Sequence, residues 1–279
     1  MTTDGHGLST AEVAELVEFA EARAWSSFYH GAPTATADAL GIQVVTVGPT
    51  TALAMAGAPF PLVNRVIGLG VGAPATEGVV DELLDVYGGI GVKDFAVQIA
   101  ESAGPRELTR WLDERDLVAG GAWAKACRGN GPVSAPQGPA RVERASQLDV
   151  DTFGDVATRG YEMPEIFGPL FGGVVGKPDW HAYLAYDGPE AIATGAMYVM
   201  GDVAWLGMGS TVPTHRRRGA QGALLARRLE DGIDLGCRWF VTETGAEDAD
   251  RPNASLRNML RVGFEVAYLR RNYTPRPSA

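Results

Sequence analysis

The segment Pro213-Thr214-His215-Arg216-Arg217-Arg218-Gly219-Ala220-Gln221-Gly222 most narrows what this chain can fold into. An alternating, strand-like stretch over 203–212 precedes it, and an apolar helix-forming run (Ala223, Leu224, Leu225, Ala226, Leu229) follows at once. A strand that passes through a glycine-broken turn into a helix aims backbone N–H groups and the positive end of the helix dipole at one point in space. That point suits a phosphate, and three consecutive arginines add charge to it. The expected ligand is a phosphate-bearing cofactor.

The rest of the composition agrees with a small anionic ligand. The net charge is -10, with 16 acidic and 8 basic side chains in residues 1–140 and 18 and 16 in residues 141–279. A local basic spot on an acidic protein argues against nucleic acid as a partner, since that needs a basic face. No apolar run reaches the roughly 18 residues of a membrane span, and the polar start over 1–7 lacks the pattern of a secretory signal. Cys127 and Cys237 lie far apart without metal-type spacing. They read as core fillers of a cytoplasmic protein. Four histidines without clustering give neither a metal site nor a Ser-His-Asp set.

Helix and strand patterns alternate along the chain, which predicts an α/β fold with a mixed α+β sheet. Ser9-Thr10-Ala11-Glu12 opens a helix with a reciprocal cap. Strands are expected over 42–47, 65–71, 94–100 and 122–128, with helices over 77–87 and 105–116. Residues 131–139, rich in Pro and Gly, read as a linker between a first unit (1–130) and a second (140–279). In the second unit strands are expected over 141–145, 180–186, 191–200, 203–212, 238–244 and 264–273. Helices are expected from Asp149 or Asp151, from the arginine turn to Leu235, and over 253–261.

The two units look like copies. Ile90 to Val97 lies over Leu235 to Thr242, Pro105 falls on Pro252, Trp111 on Asn258 and Leu117 on Phe264. The strand ending Leu69-Gly70-Val71-Gly72 lies over Leu206-Gly207-Met208-Gly209, but no arginines follow it. The first unit lacks the phosphate turn.

Thr211-Val212-Pro213-Thr214-His215-Arg216-Arg217-Arg218-Gly219-Ala220-Gln221 resembles the acyl-CoA motif of the GNAT N-acetyltransferases, Arg/Gln-x-x-Gly-x-Gly/Ala after a strand. Arg216 and Gly219 match, whereas Gln221 stands at the last small position with Gly222 one place later. The second half of the signature follows at the right distance: Thr242-Glu243-Thr244 ends a strand, Asn253-Ala254-Ser255-Leu256-Arg257-Asn258 opens a helix, and Val262-Gly263-Phe264 closes it. The likeness covers about 140–275 well and 40–128 as a faded copy, so it implies tandem GNAT-like acyltransferase units.

The resemblance implies that acetyl-CoA is the acyl donor and that no metal is needed. Backbone amides and side chains of Arg216, Arg217, Arg218, Gly219, Ala220, Gln221 and Gly222 would hold the pyrophosphate. Thr211 and Val212 would pair with the pantetheine arm, and Asn253, Ser255 and Asn258 would line the thioester side. The acceptor would be a primary amine on a small molecule or peptide, acetylated by direct transfer. In the family a carboxylate takes the amine proton and a tyrosine four residues before the Gly-Phe glycine protonates the thiolate. Met259 occupies that place here, so the acid role has no matching residue. Glu243 is the candidate base, with a structural pair to an arginine as the alternative, and Ser255 or water is the candidate acid. A non-catalytic CoA-binding regulatory or scaffold protein is the reading from another class, and monomer and homodimer both remain open.

Overall fold

The computed structural model of the protein describes residues 8–58, 60–100, 107–133, 140–247 and 252–277. The capping pattern at Ser9 forms as expected: Ser9 accepts from the Glu12 N–H, and the Glu12 carboxylate accepts in return from the Ser9 N–H, starting α1 (Thr10–His30). The first half continues through α2 (Thr34–Leu40), β1 (Ile42–Val47), β2 (Thr50–Met55), β3 (Arg65–Ile67), α3 (Glu77–Gly89), β4 (Ala96–Ala100), α4 (Leu108–Asp113) and β5 (Leu117–Gly129). The second half comprises β6 (Arg141–Arg144), α5 (Val150–Tyr161), α6 (Gly168–Gly172), β7 (Trp180–Asp187), β8 (Glu190–Met200) and β9 (Val203–Thr211). It ends with α7 (Ala220–Asp234), β10 (Trp239–Gly245), α8 (Ala254–Arg261) and β11 (Glu265–Pro275).

Three elements are absent from the pattern-based reading, one of them the five-residue α6. Every residue of β2 is buried, so it carries no polar alternation to mark it as a strand. The α2 helix is only seven residues long and ends at Gly41 in the left-handed region. Two strand boundaries also move by four residues or more. The strand expected over 65–71 stops at Ile67, because Gly68, Gly70 and Gly72 adopt φ of 84°, 83° and 75° and cannot continue an extended ladder. Conversely, β5 starts at Leu117 rather than 122, paired along β11. The expected helix start at 105 and the linker over 134–139 lie outside the described residues.

All strands join one 11-stranded sheet in the order β1-β2-β3-β4-β11-β5-β10-β9-β8-β7-β6. The two halves exchange their last strands. β5, from the first half, pairs antiparallel with β10 of the second, while β11 pairs antiparallel with β4 of the first. The exchanged strands also pair with each other over most of their length. One apolar core then runs through both halves, uniting Phe28 and Tyr29 of α1 with Phe153, Trp205 and Val241.

The ladders also give the register of the internal repeat. The parallel pair β9/β10 ends at Leu206↔Thr242, and its counterpart β3/β4 ends at Val66↔Val97. Val97 therefore matches Thr242 as the sequence suggests, but Val66 rather than Leu69 matches Leu206. This three-residue correction places Gly68 (φ 84°) over Met208 (φ 52°), so both copies leave the ladder through a left-handed residue. It also places Gln98 over Glu243.

Six charged side chains are sealed at the seam. Glu21 of α1 pairs with Arg65 of β3 (3.3 Å), Lys125 of β5 and Arg270 of β11 (2.6 Å). Glu18 pairs with Arg270 (3.0 Å), and Glu243 pairs with Arg65 (3.3 Å) and Lys125. None of these side chains is more than 7% exposed. Three acids against three bases leave no net charge, which makes such burial tolerable. In the first half the equivalents of Glu243 and Lys125 are Gln98 and Asn272, which share a neutral hydrogen bond of 2.8 Å.

Burial alone would raise the Glu21 carboxyl, but Arg270, Lys125 and Arg65 overturn that and hold it far below its ordinary 4.5. A depressed carboxyl contributes stability that is complete above its unfolded-state value and is lost as pH falls through the folded one. Thermal unfolding from neutral pH downward should show stability falling once pH drops below about 4.5. In urea titrations at neutral pH, Glu21→Gln should cost roughly 3–5 kcal/mol, as for a buried pair losing one partner. A loss under about 1 kcal/mol, the range of an exposed pair, would show that the network does not hold the seam.

Candidate active site

β9 and β10 run together only as far as Leu206 and Thr242. Beyond that point β10 stays with β5 up to Gly245↔Trp123, while β9 stays with β8 up to Thr211↔Ala193. The separation has a local cause. The β8/β9 register shifts between Thr194 and Ala196, and Met208 sits at φ 52°. A bulge of this kind bends a strand away from its neighbour. A cavity of about 260 Å³ fills the split. Gly207 and Gly209 of β9 and Glu243 to Gly245 of β10 form its floor, with Gln221, Leu225 and Arg228 of α7 and Ser255 and Met259 of α8 nearby. Aromatic walls come from both halves: Trp25 and Phe28 of α1 and Trp123 of β5 meet Tyr161, Phe167 and Phe171.

The arginine turn lies at the end of β9. Pro213 to His215 make one 3-10 turn, Arg216 is extended, Arg217 takes φ 66°, and Gly219 starts α7 at φ 85°. No side chain caps α7. Its first-turn N–H groups therefore have no helical partner and offer donors to an anion. In the first half the matching helix α3 is closed by its own Thr76, which accepts from the Val79 N–H.

The three arginines diverge. Arg216 donates to the Thr211 carbonyl (3.2 Å), the Gly160 carbonyl (3.0 Å) and the Glu162 carboxylate (2.9 Å), bracing the turn against the end of α5. Arg218 pairs with Asp187 at 3.2 Å. Arg217 is exposed and makes no ion pair among the described residues. His215 shares a hydrogen bond with Thr214 and is a turn residue.

Gln221, the departure from the expected small residue, ties the two helices together. It donates to Ser255 Oγ (3.0 Å) and accepts from Asn258 Nδ2 (2.7 Å). Asn253 caps α8 by accepting from the Ser255 and Leu256 N–H groups, and donates to the Gly245 carbonyl (2.6 Å) and Thr244 Oγ1 (3.1 Å). Ala220 is buried and Gly222 is open around its Cα. Gln221 and Ser255 thus meet at the cavity, while Asn258 bonds to Gln221 and Asn253 to Gly245 at its edge. Thr211 and Val212 bond towards β8, and the strand opens four residues earlier, at Gly207.

Glu243 reaches the cavity with both oxygens engaged. Oε1 accepts from Arg65 (3.3 Å) and Trp25 Nε1 (3.4 Å), and Oε2 accepts from Lys125. An incoming amine has to compete with these donors. Two further residues escaped the sequence reading. Tyr161 is 38% exposed as a residue and lines the cavity. Burial, with Glu243 near, pushes its hydroxyl well above its ordinary range, so it stays a hydrogen-bond donor. Arg228 is buried, and burial pushes it down to about 10. Neither has a local sequence signal: one ends α5 and the other lies two turns into α7 on its apolar face.

Among the described residues no group of three or more His, Cys, Asp or Glu is placed to hold a metal, and no helix is long and apolar enough to cross a membrane. The fold is similar to that of a GCN5-related N-acetyltransferase from Kribbella flavida, with a TM-score of 0.62 and 17% identity over 92% of this chain and 96% of that one. It is also similar to a GCN5-related N-acetyltransferase from Sphaerobacter thermophilus (TM-score 0.57, 15% identity, 82% of each chain). A tandem GNAT protein from the clavulanic acid biosynthesis pathway matches at TM-score 0.55 and 14% identity, over 85% of this chain and 83% of that one. No family model and no curated protein matches the chain. The chain has the GNAT fold, in its tandem form.

A methyl group added at Gly207 would meet the Trp205 ring at 1.8 Å. Trp205 is itself only 2% exposed, so the ring cannot swing aside freely. Gly207→Ala should cost about 1–3 kcal/mol, as overpacking does, and should change tryptophan fluorescence. An unchanged melting temperature and spectrum would contradict the packing described for the split.

Proposed function

We propose that the protein is an acetyl-CoA-dependent N-acetyltransferase that moves an acetyl group directly to a primary amine. One observation carries this reading: an uncapped helix start at Gly219 lies beside a split sheet whose cavity is closed by Gln221, Ser255 and Met259. The first half differs at both places, since Thr76 caps its helix and Gln98 stands in place of Glu243.

In this reading the first turn of α7, from Gly219 to Gly222, holds the pyrophosphate, and Arg217 adds charge from solvent. The backbone of Gly207 to Gly209, rather than Thr211 and Val212, faces the pantetheine arm along the split. Asn253, Ser255 and Asn258 keep β10 and α8 in register around the thioester. Acetyl-CoA supplies an already activated acyl group, so orientation accounts for much of the rate. The acceptor lies among Trp25, Phe28, Phe167 and Phe171, which favours an amine with an apolar body. Glu243 is then the carboxylate that takes the amine's hydrogen bond, in competition with Lys125, and afterwards its proton. Because the walls come from both halves, the first half shapes acceptor choice without binding a cofactor of its own.

One observation favours a CoA-binding regulator without turnover: both Glu243 oxygens are already engaged. Thiol release from acetyl-CoA, measured over a panel of apolar, cationic and amino-acid amines, separates the two. The transferase reading expects turnover with at least one apolar amine and a fall of roughly 10²–10⁴ in kcat for Glu243→Gln, the range of a general acid-base group. Binding without release on any amine favours the regulator.

The cofactor site has a separate test. Gly222 has open space where a side chain would go. A carboxylate in the first turn also suits the helix dipole, so Gly222→Glu should fold normally. It should weaken CoA by at least about tenfold in titration calorimetry, through repulsion of the pyrophosphate. Equal affinity in both proteins would place the cofactor elsewhere.

A further inference from the structure

The charge balance of the cavity is unusual. Glu243 is neutralised by Lys125 and Arg65, so the seam contributes no net charge. Arg228 has no such partner: no carboxylate among the described residues pairs with it, although it is only 2% exposed. Its Nε donates to the Leu224 carbonyl, and its Nη1 to the Ala196 and Gly207 carbonyls, each at 3.0 Å. These bonds plug the β8/β9 bulge, where a methyl at Gly195 would sit 2.9 Å from the guanidinium carbon. The plug uses only part of the fork. Nη2 has no protein acceptor among the described residues and is not sealed in, because the residue lines the cavity.

A buried cation without a counter-charge is costly, and bracing a bulge through two carbonyls does not require it. An anion arriving in the cavity would offset that cost. The position says which anion. Arg228 is eight residues past Ala220 on α7, so at 1.5 Å per residue it lies about 12 Å along the axis from the phosphate turn. It shares the cavity with Gly207 and Gly209, where the split opens, and with Ser255 and Met259. A cofactor arm that starts at the turn and follows the split brings its sulfur end towards this cation.

We propose that Arg228 receives the negative charge that acyl transfer places on the thioester, first on the carbonyl oxygen and then on the sulfur. The proposal rests on the CoA reading above and deepens it. The amine lone pair forms the N–C bond with the thioester carbon, and the carbonyl π pair moves to oxygen. When that pair returns, the C–S bond breaks and its electrons leave on sulfur. The proton shed by nitrogen ends on the sulfur, giving amide and free thiol. A fixed cation at the departing sulfur lowers the barrier before the proton arrives there, which matters where Met259 stands at the position of the family's tyrosine and has no proton to give.

The charged and titratable groups around Arg228 are few. Tyr161 and Tyr183 face it from α5 and β7, both with hydroxyls raised by burial. Asp231 is taken up by Tyr183 and Arg227, and Glu243 lies across the cavity with its two cations.

The test measures ionisation of the CoA thiol on the protein by ultraviolet absorbance of the thiolate across pH. Bound CoA should titrate at least about one pH unit below free CoA. Arg228→Lys should retain most of that shift and Arg228→Gln should abolish it, with CoA still bound through the α7 turn. Since Arg228→Gln also frees two bulge carbonyls and can fail to fold, a second measurement uses the unaltered protein. Its preference for CoA over desulfo-CoA should grow by about tenfold between roughly pH 6 and roughly pH 9. A role confined to the bulge would lower stability in the variants and leave thiol ionisation untouched. Normal CoA binding with a thiol that titrates as in solution overturns the proposal while leaving the CoA reading intact. So does an acceptor carboxylate whose KM, rather than the thiol, responds to Arg228→Lys. Failure of CoA to bind at all overturns both readings.

Discussion

The exchange of the two final strands is the constraint on which the remaining architecture depends. With β5 beside β10 and β11 beside β4, neither half has a complete sheet of its own. The six buried charges sit where this exchange is tightest, and they come from α1, β3, β5, β10 and β11. Ion pairs of this kind contribute little net stability compared with an apolar core, but any other pairing of the strands would strand a charge in the interior. They therefore act mainly on which arrangement forms. The neutral pair Gln98–Asn272 shows that the opposite position of the pseudo-repeat tolerates uncharged amides. The charged version is kept only on the side where the sheet opens into a cavity.

That cavity is a product of packing constraints. A bulge in β9 turns the strand outward, Trp205 lies over Gly207, and Arg228 satisfies the carbonyls that the bulge leaves over. The same bulge thus creates the space for a ligand and places an unpaired guanidinium at its wall. The walls on the far side belong to α1 and β5, so a cavity centred on the second half depends on residues from the first.

Sequence reading captured what is local. The Ser9–Glu12 cap, the strand-turn-helix around Gly219 and the helix opening at Asn253 each depend on residues within a few positions of one another, and all formed as read. It missed what arises from long-range packing. Glu21 and Arg270 are 249 residues apart, and nothing around either one announces the other. Fully buried β2 lost the alternation that identifies a strand, and three glycines made β3 look longer than its ladder. For the candidate site the outcome was mixed for the same reason. Glu243 was singled out from its place at a strand end, but its partners Lys125 and Arg65 come from the other half. Arg228 looked like one more helix residue, because only the bulge in a different strand gives it a role.

The position of β11 bears on how such a chain is made. It follows every other strand in the chain, yet it fills the middle of the sheet between β4 and β5. During synthesis the first half must wait with an unsatisfied inner edge at β4 while the second half is still being translated. Until β11 has been made, that edge offers unpaired backbone groups to other strands. Loss of those residues would open a gap at the centre of the protein, where trimming β1 or β6 would merely shorten a rim.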